Sequence, residues 1–266
     1  MTPAGRDFAW LACAVRYRTR APLALPEQAS VPVRGALGYL LPEYVFRPTR
    51  SAGPSGLRTA PPPFVLRASS LDRARLGSGV EFGFALNLFA PELLPLFEDA
   101  LQRLAESGLG PRRTSLEYLG STVSERRADL CAAEPCARLK VDFVTPTELK
   151  GWDSDQAPSF DLLLRRLRDR VSALRLLYGG GAMEFDFRGL GERAANVETV
   201  ASALQTVAGS RRSARTARTH PLSGFIGHAV YSGELSEFVP WLRLAEHVGV
   251  GRQTVWGHGE ARVTLG

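Results

Sequence analysis

Hydrophobic positions follow two rhythms along the chain, and the order of those rhythms outlines an architecture. Phe8–Arg18 is a compact apolar run ending in Arg16, Arg18 and Arg20, and it reads as an opening strand whose end faces a ligand. Val31–Leu41 predicts a short helix. Arg47–Pro63, with five prolines and two glycines, predicts an exposed loop. In Val80–Leu88 the apolar Val80, Phe82, Phe84, Leu86 and Leu88 share one strand face. Leu93, Phe97, Leu101 and Leu104 then recur at helical spacing before Gly108 and Gly110, and Ser115–Leu119 predicts a closing strand.

Gly120–Pro135 is polar and charged, and reads as a connection. Beyond it the first order returns. Leu139, Val141 and Phe143 alternate with Arg138, Lys140 and Asp142 in a strand. Phe160, Leu163, Leu164, Leu167, Val171, Leu174 and Leu177 form a helical stripe with Arg165, Arg166, Arg168 and Arg170 off it, ending at Gly179–Gly181. Met183, Phe185 and Phe187 predict a strand, Gly224–Tyr231 a further one, Ser236 caps a helix reaching about His247, and Ala261–Leu265 closes the chain. The repeated β-α-β-β-α-β order defines an α+β fold of two tandem ferredoxin-like (RRM-like) domains, with a C-terminal glycine-rich loop. The expected domains are residues 1–120 and 137–266, with 121–136 as linker. Within the second, about 190–220 is an insertion, in which Glu192–Ala208 predicts a helix leading into a basic loop.

Composition fits this division. The 266 residues are 44% hydrophobic and 23% charged, enough for two cores and unlike a disordered chain. No stretch approaches the roughly 18 to 20 apolar residues of a membrane span, and the N-terminal segment is broken by arginines, so a soluble, cytoplasmic protein is expected. Cys13, Cys131 and Cys136 lack zinc-site spacing and read as free thiols, so neither metal nor cofactor is expected.

Charge changes the picture more. Of the 33 basic residues 31 are arginine, whose planar guanidinium makes forked bonds to phosphate and stacks on bases. Residues 1–80 carry 11 arginines against 4 acids, and Arg211, Arg212, Arg215 and Arg218 stand in a window without acids from Thr199 to Gly233. A polyanion suits both concentrations, because phosphate contacts release counterions. A solvated arginine surface is the other reading of the same pattern.

The most specific local signal is Gly249–Val263, between the last helix and the last strand. Gly249, Gly251, Gly257 and Gly259 allow positive φ and close approach of backbone N–H groups to a phosphate, with Arg252 and His258 between them. It lacks the Gly-Lys-Ser/Thr ending of a nucleotide loop. A glycine-rich hairpin without a ligand is the plainer alternative.

This run, together with Leu222–Gly233 (LSGFIGHAVYSG) and the helix bearing Phe238, Leu242 and Leu244, resembles the signature of the CRISPR-associated precursor-RNA processing endoribonucleases of the RAMP superfamily. Arg34–Leu40 (RGALGYL) is similar to that family's first-domain helix motif, Ala137–Lys150 to the strand opening its second domain, and Gly108–Arg112 also fits. The resemblance implies two ferredoxin-like domains that bind a CRISPR repeat stem-loop and cut it without metal. In that chemistry the 2′-OH attacks the adjacent phosphorus, leaving a 2′,3′-cyclic phosphate and a 5′-hydroxyl. The partners implied are crRNA and other CRISPR effector subunits, the backbone RAMP proteins.

The sequence departs from the family where many members have a histidine, for Tyr39 stands there and no histidine precedes His220. An unperturbed phenol titrates near pH 10, so Tyr39 serves as a base only if guanidinium groups lower its pKa; packing in the core is its other reading. Arg20 and Arg34 are the candidates to stabilise the phosphorane. The resemblance is closest to histidine-poor, arginine-rich type IV members, whose processing enzyme stays on its mature crRNA. A catalytically inactive crRNA-binding RAMP subunit and a general nucleic-acid binding protein are the alternatives.

Overall fold

The structure, a computed structural model, describes residues 5–47, 60–152, 156–207, 210–212, 219–221 and 224–266. In chain order the first half contains β1 (Asp7–Thr19), β2 (Leu23–Ala24), α1 (Ser30–Leu40), α2 (Glu43–Phe46), β3 (Phe64–Arg67), β4 (Arg75–Leu76), β5 (Glu81–Leu88), α3 (Leu94–Ser107) and β6 (Leu116–Asp129). The second contains β7 (Arg138–Thr147), α4 (Phe160–Tyr178), α5 (Phe187–Ala194), β8 (Glu198–Val207), β9 (Ser210–Arg212), β10 (Thr219–Pro221), β11 (Gly224–Ser232), α6 (Val239–Val248) and β12 (Ala261–Leu265). No helix of the described residues is long and apolar enough to cross a membrane.

Two four-stranded antiparallel sheets result, ordered β3-β5-β1-β6 and β12-β7-β11-β8. Each places the first and third of its four strands, in chain order, at the centre, which is the ferredoxin-like arrangement read from the sequence.

Alternation along β1 explains how the halves join. Its odd-numbered Cys13, Val15 and Tyr17 enter the core beneath α1 and α3, while Phe8 and Trp10 point to the opposite face and join the core of the second domain. Val65 of β3 and Phe89 join them there. One sheet therefore serves two cores. The seam is also tied by polar groups around the end of α6, where helix carbonyls lack intrahelical donors. From the first domain Arg67 donates to Glu246 O at 3.1 Å and Asn87 to His247 O at 2.8 Å, while within the second Arg170 of α4 donates to Val248 O at 2.7 Å. Burial pushes the Arg67 guanidinium down to about 10, with Glu260 opposing, and burial then Arg67 push Arg170 down to about 9, so both stay charged at neutral pH.

Three expectations are corrected. Residues 120–129 belong to β6, which pairs with β1 from Leu116↔Thr19 to Asp129↔Asp7, so only 130–137 connect the domains. Their side chains are polar because β6 is an edge strand, held by backbone bonds rather than by burial. Glu198–Val207, expected within a helix, is the edge strand β8, exposed along most of its length. Met183–Phe187 is not a strand; it runs irregularly into α5, with Phe185 packing edge-on against Trp241.

Candidate functional site

The glycine-rich loop leaves α6 at Gly249 and folds against both domains. Its glycines are required by close approaches. A Cβ at Gly257 would lie 2.5 Å from the Ser30 Cβ at the start of α1, and one at Gly259 would lie 1.9 Å from the Val250 carbonyl oxygen. The amides expected to face a phosphate are largely used within the chain. Val250 N bonds Gly259 O at 2.8 Å, Arg252 N bonds Glu148 O at 3.1 Å, Gly257 N bonds Thr254 O at 3.1 Å and Gly259 N bonds Pro146 O at 3.0 Å. The loop is thus a packed joint, stiffened by its own backbone bonds.

Side chains of the loop follow suit. Arg252 pairs with Glu148 at 2.7 Å, still more than half exposed. His258 is only 1% exposed, and burial pushes its pKa down to about 4 with Glu148 opposing, so the ring is neutral near pH 7. It borders a cleft of about 570 Å³ along the seam, with Glu27, Asp72, Arg73 and Gln205 on its walls. Asp72 accepts from the Ala29 amide at 2.8 Å, yet burial raises its pKa.

Helix α1 carries two of the three expected catalytic residues, and they part company. The Arg34 guanidinium lies 3.5 Å from the Phe46 ring centroid and 4.5 Å from that of Trp256, held between a first-domain ring and a loop ring. A Cβ at Gly38 would stand 2.7 Å from the same guanidinium. Tyr39 is 70% exposed, which excludes the core reading, and the Arg113 guanidinium sits 5.9 Å from its ring centroid. Arg20 is exposed beyond β1, its amide bonded to Ser115 O at 3.2 Å. The turn between α3 and β6 therefore touches both Tyr39, through Arg113, and Arg20, through Ser115, while Arg34 is committed to the joint.

Of the basic insertion, Arg211 and Arg212 lie on β9, paired with His220 and Thr219 of β10. Arg215 and Arg218 lie outside the described residues, as do the side chains of Arg211 and Arg212. Sequence reasoning passed over Arg113 and Trp256. Arg113 had a signal, its place just after the Gly108–Pro111 turn, and in the structure it takes a left-handed φ of +48°. Trp256 had none, since an aromatic in a glycine-rich loop does not reveal which arginine it covers.

The fold and its seam define a class: two ferredoxin-like domains whose glycine-rich loop is docked on the first-domain helix. Comparison with known proteins agrees. Residues 141–261 match the model of the CRISPR-associated endoribonuclease Cas6 family, and residues 42–129 match an N-terminal domain model. The second domain therefore carries the Cas6 family's sequence pattern. The Cas6 (TTHB231) product complex, of a Thermus thermophilus protein, is similar at TM-score 0.62 and 19% identity, covering 97% of this chain and 99% of that one. The Cas6 (TTHA0078) product complex gives TM-score 0.60 and 20% identity over 96% and 99%. A partial Cas6-RT-Cas1–Cas2 complex gives 0.63 and 13% over 97% of this chain and 46% of that one. At these identities the likeness is one of fold. No curated protein matches the chain.

Proposed function

We propose that the chain is a CRISPR-repeat endoribonuclease that cuts precursor crRNA without metal and keeps its product. The observation that carries this reading is the Cas6 family match over 141–261, which includes the loop that docks on α1. In the reaction the 2′-oxygen bonds to phosphorus and the bond to the 5′-oxygen breaks. A proton leaves the attacking hydroxyl and another reaches the leaving oxygen. Tyr39, the exposed phenol of α1, is the proposed proton-transfer group, and Arg20 and Arg113, on either side of the same turn, are the proposed partners of the phosphorane's charge. Arg34 acts through the joint. Arg211, Arg212, Arg215 and Arg218 are assigned to the stem's phosphates, where an A-form duplex is read by shape and charge. Retention of product, assembly with backbone RAMP subunits in the cytoplasm and the type IV subgroup complete the reading; the histidine-poor, arginine-rich composition supports the last.

The test uses the chain's own repeat RNA in EDTA, beside the same RNA with a 2′-deoxy nucleotide before the cut. Cutting that survives EDTA and stops with the deoxy substitution is expected. Tyr39→Phe should slow single-turnover cutting by about 100-fold with affinity unchanged. One observation favours a second reading, a crRNA-binding subunit without activity: His247 stacks on Trp10 at 4.7 Å, His258 is buried, and among the described residues no histidine lines the groove beside Tyr39. Tight stem-loop binding with no cutting would establish it.

A further inference from the structure

Along one face of α1, from Val31 to Tyr39, a groove of about 490 Å³ runs between the helix and the Ser107–Arg113 turn. Val31, Gly35 and Tyr39 recur every four residues and so form one stripe along its helical wall. Pro26 and Pro111 add apolar surface, and among the described residues the sole charged one on its walls is Arg113.

Gly35 is the informative position. A glycine inside a helix costs about 1 kcal/mol relative to alanine. In the same helix the missing Cβ of Gly38 is matched by the Arg34 guanidinium, whereas Gly191 of α5 shares the open surroundings of Gly35. At Gly35 a Cβ would meet no atom of the described residues within 4 Å, and the backbone does not take a positive φ. Neither packing nor conformation accounts for the residue. What its missing side chain leaves open is the groove, which is flanked by an exposed tyrosine and a guanidinium held over its ring.

We infer that this groove receives one unpaired nucleobase of the bound RNA, packed against Tyr39 and the apolar stripe, with Arg113 on the adjoining phosphate. The inference rests on the RNA-binding reading above and adds a subsite to it. Aromatic rings and guanidinium planes are the surfaces on which unstacked bases settle, and the apolar walls offer no competing charge to the base. Arg113 supplies the one complementary charge that a nucleotide requires. A single base next to the phosphate at Tyr39 would fix that nucleotide's ribose for in-line attack.

The test walks an abasic substitution through each unpaired position beside the stem of the repeat RNA, with the full chain and with Gly35→Leu, which fills the groove. The leucine has open space and a better helix propensity, so its melting temperature should equal or exceed that of the parent. The parent should lose roughly tenfold in affinity at one abasic position, the factor of about one stacked base. Gly35→Leu should bind intact RNA roughly tenfold more weakly and be indifferent to the abasic site at that position. Arg113→Ala should lower affinity less and keep the abasic effect. A flat abasic profile, or Gly35→Leu binding and cutting as the parent does, overturns the subsite while leaving the endoribonuclease reading intact. Failure of the parent chain to bind the stem-loop at all overturns that reading and the subsite with it.

Discussion

Two faces of α1 differ in what they do with space. On one the glycine-rich loop is pressed against Ser30 and encloses Arg34, and each of its glycines answers to a neighbouring atom. On the other Gly35 has no described atom near the place of a Cβ, and Tyr39 and Arg113 stand beside an open groove. The same residue type marks a joint in one place and a vacancy in the other. A glycine-rich motif thus identifies a binding surface only when its amides remain available, and in this loop most of them close the loop on itself.

The largest effect expected from this contrast is at Gly259. Its Cβ would collide with the Val250 carbonyl at a φ of +66°, so Gly259→Ala should lose more than about 3 kcal/mol in chemical denaturation. A loss below 1 kcal/mol would mean that the loop is looser than it looks.

Next is the acid response of the joint. His258 has its folded pKa depressed to about 4, below the unfolded value near 6.5, so the unfolded chain binds the extra proton between those limits. Stability is intact above pH 6.5 and falls by about 3 kcal/mol as the pH drops to 4. The His258 ring resonances should show a neutral imidazole down to about pH 4; protonation near 6.5 would refute the enclosed joint.

A smaller effect belongs to the Arg34 pair of rings. Trp256→Ala and Arg34→Ala should each destabilise by about 1 to 3 kcal/mol, and the double variant by less than their sum, with a coupling near 1 kcal/mol. Strict additivity would separate the arginine from the loop. The smallest expected effect has the opposite sign: Gly35→Ala should raise stability by about 0.5 to 1 kcal/mol. A loss there would mean that the groove wall is packed after all.

Which parts of this were readable in advance depended on burial. β5, β7, α3 and α4 place alternating or striped apolar residues into cores, and their sequences say so directly. β8 and the far half of β6 are edge strands held by backbone bonds to β11 and β1, so burial imposes no period on their side chains. Ala201, Ala203, Leu204 and Gln205 even favour a helix, and tertiary pairing overrides that preference. The site divided in the same way. Residue types such as the loop glycines, Tyr39 and the arginines were visible, but one of the two rings that take Arg34 out of the open surface belongs to Trp256, more than 200 positions away. No local pattern encodes that meeting.

β1 lends one face to each core, so neither half owns a complete interior. Cut between the domains, the first half would leave Phe8, Trp10, Val65 and Phe89 wet, and the second would lose the Trp10 ring that stacks on His247. On heating, the molecule should give way in one cooperative transition, and each half expressed by itself should be prone to stick to its neighbours.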